Sequence, residues 1–217
     1  FWPESLQGLF YGGGALGALS RHPYKILLLP FFAISLLYFL HKTLKFAKKS
    51  GDPYTLVHSH WLIPTGLLTG LVAQHHKCEH VVTCHGSDLM KLKSGIFHRM
   101  KRWGMKLARR VHVNSPAMSD LAVDIAPFVK AVTIPLGVQV PLDVKTEEAQ
   151  QFLQNKQFQK VAFVGRLSRE KGADIFLEVF CLLQKRLADI QAIIVGDGPE
   201  SDILKERAKE LGVLENC

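Results

Sequence analysis

Short apolar runs alternate with longer helical segments from Asp52 onward, and this alternation limits the fold more than any other feature. Strands separated by helices are typical of parallel βαβ units, because a parallel pair needs a crossover connection. Six runs have strand character, namely residues 55–60, 79–84, 111–114, 131–135, 160–165 and 191–195. Helices are predicted between them, at residues 64–76, 94–109, 172–188 and 200–211 and from residue 116. The sequence therefore predicts an α/β fold with parallel sheets.

A change in composition divides the chain into two parts. Residues 139–159 are polar, rich in Gln and without a strand pattern, so they predict a linker. The linker separates an N-terminal domain, residues 1–138, from the beginning of a second domain at residues 160–217. The first domain has a loop-like, Gly-rich start and the second has only two βα units. Both domains are therefore expected to be incomplete, and the chain to be cut at both ends.

The amount of apolar and charged sequence excludes some classes of protein. Hydrophobic residues make up 47% and charged residues 21% of the chain, which disfavours wholesale disorder. The net charge of +8 predicts an anionic partner, with nucleic acid, an anionic membrane and a phosphorylated small molecule all open. The four cysteines form no Cys-x-x-Cys pair, so free thiols in a reducing compartment are expected rather than disulfides or a zinc site.

Two helical segments bear on membrane contact. Residues 26–40 form an apolar run of 15 residues that includes Pro30, whereas a spanning helix needs about 20. A buried helix is the preferred interpretation, with a spanning helix and contact with a membrane surface as alternatives. In residues 94–109, Ile96, Met100 and Trp103 predict an apolar stripe opposite a basic face. That face is interpreted as solvated, with docking on anionic lipid as the alternative.

Basic residues follow the predicted strand at residues 160–165. Arg166 leaves the carboxyl end of that strand, and Lys171 immediately precedes a predicted helix N terminus. Ligands of open α/β sheets collect at the carboxyl ends of strands, and helix N termini favour anions. The flanking Gly165 and Gly172 favour an anion site, while a solvated basic loop is the alternative, since Arg169 lies nearby.

Other candidates also follow predicted strands. His85 ends the strand at residues 79–84, and Asp88 is expected to orient its loop by accepting backbone N–H groups. His58 and His60 are two residues apart and so share one face of a strand. With no third ligand in sight, a metal site is not expected there. His60 is interpreted either as lining a substrate site or as a packed core residue.

Small residues at the remaining strand ends have structural explanations. Ser115 predicts a helix cap and Gly137 a tight turn. Gly196 and Gly198 join a strand to a helix, and they suit either a tight turn or a close approach to a ligand.

Six segments, in order over about 145 residues, are similar to family 4 glycosyltransferases. They are HSHW (58–61), VVTCHGSD (81–88), NSP (114–116), IPLGV (134–138), FVGRLSREKG (163–172) and VGDGPE (195–200). The resemblance implies a GT-B fold, in which two Rossmann-like parallel-sheet domains face a cleft. It also implies retaining, hexosyltransferase-like transfer from a UDP- or GDP-type sugar to a carbohydrate or lipid-linked acceptor hydroxyl.

The resemblance also implies roles for the candidate residues. His85 is expected to be catalytic at the donor sugar, and Gly165, Arg166 and Lys171 to bind the donor diphosphate. The residues expected to line the cleft are His60, Asp88, Ser115, Gly137, Gly196 and Gly198. Catalysis is expected to need no metal and no cofactor, because the basic residues stabilise the leaving diphosphate. A cytoplasmic location follows, with peripheral contact at the inner face of an anionic membrane as a further hypothesis.

Two alternatives to glycosyl transfer stay open at this point. A GT-B nucleotide-sugar epimerase would share the nucleotide site and transfer nothing to an acceptor. A basic nucleic-acid-binding module would explain the net charge. However, the chain has no recognisable nucleic-acid motif and no aromatic residues interleaved with its basic ones, so nucleic acid is not expected.

Overall fold

The computed structural model describes residues 23–139, 159–187 and 189–216. The chain divides into two compact units, Phe1–Gln139 and Val140–Cys217. Most of the linker predicted at residues 139–159 lies outside the described residues, and its last residue, Gln159, already belongs to a strand. Each unit is an α/β arrangement with a parallel sheet, as the sequence predicts.

The described part of the first unit contains four strands connected by helices. Its elements are α1 (Leu28–Lys49), β1 (Leu56–His60), α2 (Leu67–His76), β2 (Glu79–Cys84), α3 (Ser87–Met90), α4 (Gly95–Lys106), β3 (Arg110–Val113), α5 (Pro116–Ile125) and β4 (Ala131–Thr133). A 3-10 turn at Pro23–Leu27 precedes α1, and a π-type turn at Leu62–Gly66 leads into α2. The strands lie in the order β1-β2-β3-β4, and every neighbouring pair is parallel.

The register of this sheet places the carboxyl ends of its strands at one edge. His60 pairs with Thr83, and Cys84 pairs with Val113. The central strands are covered by helices, so Val82 and Val113 are fully buried, together with Met105 of α4. Residues that follow the four strands therefore lie along a single edge, above a packed core.

In the second unit the described residues form two further strands, again connected by a helix. Its elements are β5 (Gln159–Val164), a 3-10 turn (Arg169–Lys171), α6 (Ala173–Gln184), β6 (Ile190–Val195), α7 (Ser201–Glu210) and a 3-10 turn (Leu214–Asn216). β5 and β6 are parallel and in register from Gln159 with Ile190 to Val164 with Val195. Leu177 and Phe180 of α6 are buried against β6 and α7.

Two predictions about helix faces are wrong. In α4, Ile96 and Trp103 of the predicted apolar stripe are 59% and 49% exposed, whereas Lys101 and Met105 are buried. The inward face is set by Gly104, where an added Cβ would lie 3.0 Å from Leu62 Cδ1, so the helix backbone approaches closely there. The spacing of apolar residues predicts the face that carries the largest side chains. It does not predict a face that packs through a glycine because two backbones approach closely.

α1 is also not the buried helix that was expected. Among its described side chains Leu44 and Ala47 are buried, whereas Phe31, Ile34 and Tyr38 are more than half exposed. By length and composition alone, Ile26–Lys49 is long and apolar enough to cross a bilayer. In the described residues, α1 packs on α2 through its C-terminal half.

The cysteines agree with the predicted free thiols where they are described. Cys78, Cys84 and Cys181 are free, and Cys217 lies outside the described residues. Burial raises the pKa of the Cys84 thiol, with a further contribution from the nearby Asp88 carboxylate. This thiol is therefore a core residue and not a nucleophile.

Candidate functional site

Two histidines meet at the carboxyl edge of the first sheet. Nδ1 of His60, the last residue of β1, lies 2.9 Å from Nε2 of His85, which follows β2. The rings stack with centroids 5.1 Å apart, and the Trp61 ring lies 5.6 Å from that of His85. This hydrogen bond needs one N–H and one lone pair, so the two imidazoles cannot both be protonated while it is made. His60 is exposed, so the packed-core interpretation of this residue is wrong.

Asp88 fixes the backbone around His85. Its Oδ1 accepts a hydrogen bond from the N–H of His85 at 3.0 Å, and its Oδ2 accepts one from the N–H of Leu62 at 2.8 Å. The carboxylate is 6% exposed. One side chain thus joins the ends of β1 and β2, and the prediction that Asp88 orients this loop through backbone N–H groups is confirmed.

Lys101 of α4 holds the segment that follows Asp88 through hydrogen bonds to its backbone carbonyls. It is 2% exposed, and its Nζ donates to the carbonyl oxygens of Leu89 at 2.7 Å and Lys91 at 2.6 Å. Burial lowers the pKa of Lys101, while the Asp88 carboxylate acts in the opposite direction. Lys101 was predicted to belong to a solvated basic face, and this is wrong because the carbonyls of Leu89 and Lys91, at the C-terminal end of α3, provide acceptors inside the fold.

Further imidazoles extend the edge. His58 Nε2 lies 2.8 Å from Thr83 Oγ1, and the His58 ring is 4.6 Å from that of His60 and 6.1 Å from that of His112. Burial lowers the pKa of His58, and the neighbouring histidines lower it further. A positive charge on His58 is therefore disfavoured, which favours its neutral form, in which one ring nitrogen can accept a hydrogen bond.

Ser115 and Gly137 follow β3 and β4. Ser115 occupies the N-cap of α5 with an extended backbone, and Pro116 is the first helical residue, as predicted. The Ser115 hydroxyl makes no capping hydrogen bond; its carbonyl oxygen accepts from the N–H groups of Met118 and Ser119 instead. Gly137 is exposed, with nothing within 4 Å of an added Cβ, and residues 134–139 form no turn, so the tight turn predicted at Gly137 is wrong. Whether either residue contacts a ligand stays a prediction.

In the second unit, the loops after β5 and β6 are joined by backbone hydrogen bonds. Gly165 N–H donates to Val195 O at 3.0 Å, Leu167 N–H to Asp197 O at 2.9 Å, and Glu200 N–H to Leu167 O at 3.1 Å. An added Cβ at Gly196 would overlap the carbonyl of Gly165, and one at Gly198 would overlap the carbonyl of Leu167. Gly196 and Gly198 are therefore required by loop packing, whatever they contact in a complex.

Arg166 and Lys171 project from this joined pair of loops. Both side chains are exposed, and neither has a hydrogen-bond or ion-pair partner among the described residues. Lys171 ends a 3-10 turn held by its N–H bond to Ser168 O at 2.8 Å, and Gly172 is the N-cap residue of α6 with a φ of 72°. Two cations and a 12-residue helix N terminus thus lie at one edge, which is suitable chemistry for an anion.

The structure thus brings the predicted residues together within each unit. His60, His85 and Asp88 are in direct or bonded contact, and Gly165 contacts Gly196. The hydrogen bond between His60 and His85 and the buried contacts of Lys101 were not predicted from the sequence. A sequence signal for the His60–His85 bond existed, because each histidine lies at the end of a predicted strand and the two strands are adjacent in the sheet. The contacts of Lys101 had no sequence signal. The role of each residue toward substrate stays a prediction.

Two family models match the chain over almost all of its length. The model described as Glycosyl transferases group 1 matches residues 144–217, and the model described as Glycosyltransferase Family 4 matches residues 9–140. The boundary between them falls close to the division between the two compact units.

Two curated proteins that are similar in sequence are also named as glycosyltransferases. The chain is 30% identical over 168 residues to TuaC of Bacillus subtilis (strain 168), named as a teichuronic acid biosynthesis glycosyltransferase; the match covers 73% of this chain and 42% of TuaC. It is 39% identical over 49 residues to a 2-deoxystreptamine N-acetyl-D-glucosaminyltransferase of Niallia circulans, covering 23% of this chain and 13% of that protein. The chain thus spans less than half the length of these relatives.

Solved structures share the fold at low sequence identity. Anabaena Alr3699/HepE in complex with UDP superposes with a TM-score of 0.62 at 19% identity, covering 82% of this chain and 50% of that one. The S. aureus MnaA–UDP structure gives a TM-score of 0.55 at 12% identity, covering 85% and 51%. These likenesses are to Rossmann-like GT-B proteins. Because the family 4 model alone matches more than half of the 217 residues, the chain belongs to glycosyltransferase family 4.

Proposed function

We propose that the protein transfers a sugar, with retention, from a UDP- or GDP-type nucleotide sugar to a hydroxyl of a carbohydrate or lipid-linked acceptor. The observation that carries this proposal is the joined pair of loops in the second unit, from which Arg166 and Lys171 project without described partners. The UDP in two similar structures and the names of the curated relatives support a nucleotide-sugar donor. Retention is proposed on the family resemblance.

The chemistry of the leaving group explains why basic side chains are placed on a rigid loop. Cleavage of the bond between the sugar and the diphosphate leaves negative charge on the departing oxygens. Fixed positive groups stabilise that charge without reorganising during the reaction. Arg166 offers a planar set of N–H donors and Lys171 a compact charge, so together they take the role that a metal ion has in other transferases. The proposed reaction is therefore metal-independent.

His85 is proposed to contact the donor sugar at the reacting carbon. Asp88 holds its backbone, and His60 holds its Nε2, so the ring has a fixed position. The imidazoles along this edge offer ring nitrogens as hydrogen-bond partners to sugar hydroxyls, as His58 Nε2 does to Thr83 Oγ1 at 2.8 Å. A positioned imidazole binds hydroxyls by hydrogen bonding and places the donor for attack by the acceptor.

Replacing Arg166 by Ala tests the proposal directly. In the complete protein, turnover should fall at least tenfold, the factor for about 1.4 kcal/mol of lost transition-state stabilisation. Arg169→Ala is the matched control, because Arg169 is also exposed and lies in the adjacent 3-10 turn. The assay measures sugar transfer from a panel of UDP- and GDP-sugars, and NMR of the product gives the anomeric configuration. Equal turnover of wild type and Arg166→Ala would remove the diphosphate role.

The protein is also proposed to work in the cytoplasm, at the inner face of the membrane. Support comes from α1, where exposed Phe31, Ile34 and Tyr38 lead into a basic C-terminal part with Lys42, Lys45, Lys48 and Lys49. Each basic residue near an anionic surface contributes about 1 kcal/mol of attraction. Co-sedimentation with anionic and neutral liposomes tests this, and equal binding to both would exclude electrostatic docking.

The alternatives raised by the sequence gain no such support. Neither isomerisation of a nucleotide sugar nor binding of nucleic acid is favoured by the family matches or by the described residues.

A further inference from the structure

Three histidines that the proposed function does not use converge where α1 packs on α2. His41 lies within α1, and His75 and His76 are the last two residues of α2. One ring nitrogen from each lies within 4.8 Å of those of the other two. His76 Nε2 is 3.0 Å from His41 Nδ1, and the His41 ring lies 5.6 Å from that of His75.

This cluster lies at the edge of the first sheet opposite to His85. β1 and β2 are parallel, so α2 runs back from the carboxyl end of β1 to the amino end of β2. The C terminus of α2, with His75 and His76, is therefore at the amino edge. His75 is exposed and the other two histidines are partly buried, so solvent reaches the cluster. A role in sugar transfer does not fit this position.

The geometry suits a tetrahedral metal ion with nitrogen ligands. Zinc binds imidazole at about 2.0–2.1 Å, which places neighbouring ligand nitrogens about 3.3 Å apart. The His41–His76 pair is already within this distance, and the widest separation has to close by roughly 1.5 Å, which ring rotation of partly exposed side chains achieves on fast timescales. The described residues supply three nitrogens, and water can complete the coordination.

The surrounding charges act in two directions. The C-terminal carbonyls of α2 carry partial negative charge, which favours a cation beside His75 and His76. The positive charges of Lys45 and Lys48 act on His76 and disfavour the binding of a cation there. Both lysines are exposed, so salt weakens their effect, whereas the coordinate bonds are unaffected.

We propose that His41, His75 and His76 form a structural site for Zn²⁺ that ties α1 to the α2 side of the first unit. A bound ion would hold the two helices at their contact without taking part in catalysis. Because the ion would bind the folded unit and not the unfolded chain, it would also raise the temperature of unfolding.

The experiment uses the complete protein, purified without a histidine tag and freed of metal with a chelator that is then removed. Calorimetric titration with Zn²⁺ should show one saturable site, and tryptophan fluorescence should show a higher melting temperature with Zn²⁺. Trp2, Trp61 and Trp103 of the 217-residue sequence lie in the first unit. Their fluorescence therefore changes when the unit that holds the site unfolds.

Variants locate the site. His41→Gln and His76→Gln should each lower Zn²⁺ affinity at least tenfold and abolish the shift in melting temperature, whereas His98→Gln on α4 should leave both unchanged. The visible spectrum of Co²⁺-loaded wild type reports tetrahedral nitrogen ligation without any variant. No saturable Zn²⁺ binding by wild type, or equal binding by wild type and His41→Gln, would overturn the proposal and leave the cluster as a hydrogen-bonded contact between helices.

Discussion

Replacing Asp88 by Asn tests how the loop carrying His85 is held. The side chain keeps its size but loses its charge and one of its two acceptor oxygens. In the native protein those oxygens accept from the N–H groups of His85 and Leu62, at 3.0 and 2.8 Å. In the variant one buried N–H faces an NH₂ group and stays unsatisfied. Lys101 also loses the opposing charge that counters its burial.

The magnitude follows from these contacts. A hydrogen bond to a charged group is worth about 1.5–3 kcal/mol, and one such bond is lost, so Asp88→Asn should destabilise the first unit by about 2–3 kcal/mol. Asp88→Ala loses both bonds and should cost about 3–6 kcal/mol, twice the value of one hydrogen bond to a charged group. Asp120→Asn, at an exposed position on α5, should change stability by less than about 0.5 kcal/mol.

The assay is urea unfolding of the 217-residue chain followed by tryptophan fluorescence, because the three tryptophans of these residues lie in the first unit. A loss for Asp88→Asn of less than about 1 kcal/mol, or a loss equal to that of Asp120→Asn, would refute the anchoring role. Far-UV circular dichroism of each variant establishes that the comparison is between folded proteins.

Two further predictions concern the glycine turn and the effect of pH. Gly196→Ala and Gly198→Ala should each destabilise the second unit by about 3 kcal/mol, the upper end for overpacking, because the added Cβ meets a backbone carbonyl; amide NMR melts of second-unit resonances should show this loss, with Gly137→Ala as a neutral control, and unchanged melts would contradict the packing role. The folded-state pKa values of His58 and His80 lie below 6.5 because of burial, so the unfolded chain binds protons first as the pH falls. The stability that these neutral histidines contribute is complete above pH 6.5 and is lost below it, as the pH falls through the lowered folded-state values. The urea midpoint, followed by tryptophan fluorescence, should therefore decrease from pH 7.5 through 6.5 to 5.5, and it should decrease less in His58→Gln. A midpoint that is the same at all three pH values in wild type would contradict this contribution of the two histidines.

Strand positions were predictable because each apolar run is bounded by turn residues. The strand at residues 79–84 has the predicted limits, and β5 and β6 each begin one residue earlier than predicted. The helix that begins at Pro116 was signalled by Ser-Pro, since proline is tolerated at a first helical position. Local chemistry decides these features, so a single sequence reveals them.

Features that depend on packing between distant segments were not predictable. Lys101 is buried only because the carbonyls of Leu89 and Lys91 come within reach of it. The exposure of Phe31 and Ile34 on α1 depends on which elements cover that helix. The contact between His60 and His85 depends on the order of β1 and β2 in the sheet. In each case the deciding partner is remote in the sequence.

The central claim is that the loops after β5 and β6 form the site for a nucleoside diphosphate. Amide NMR of the complete, isotope-labelled protein, titrated with UDP and separately with GDP, tests it most directly. At least one of the two should produce saturable shifts that are largest at residues 165–172 and 196–198, and Arg166→Ala should weaken that binding while Arg169→Ala does not. Saturable shifts elsewhere with none in these loops, or no binding of either nucleotide, would contradict the account.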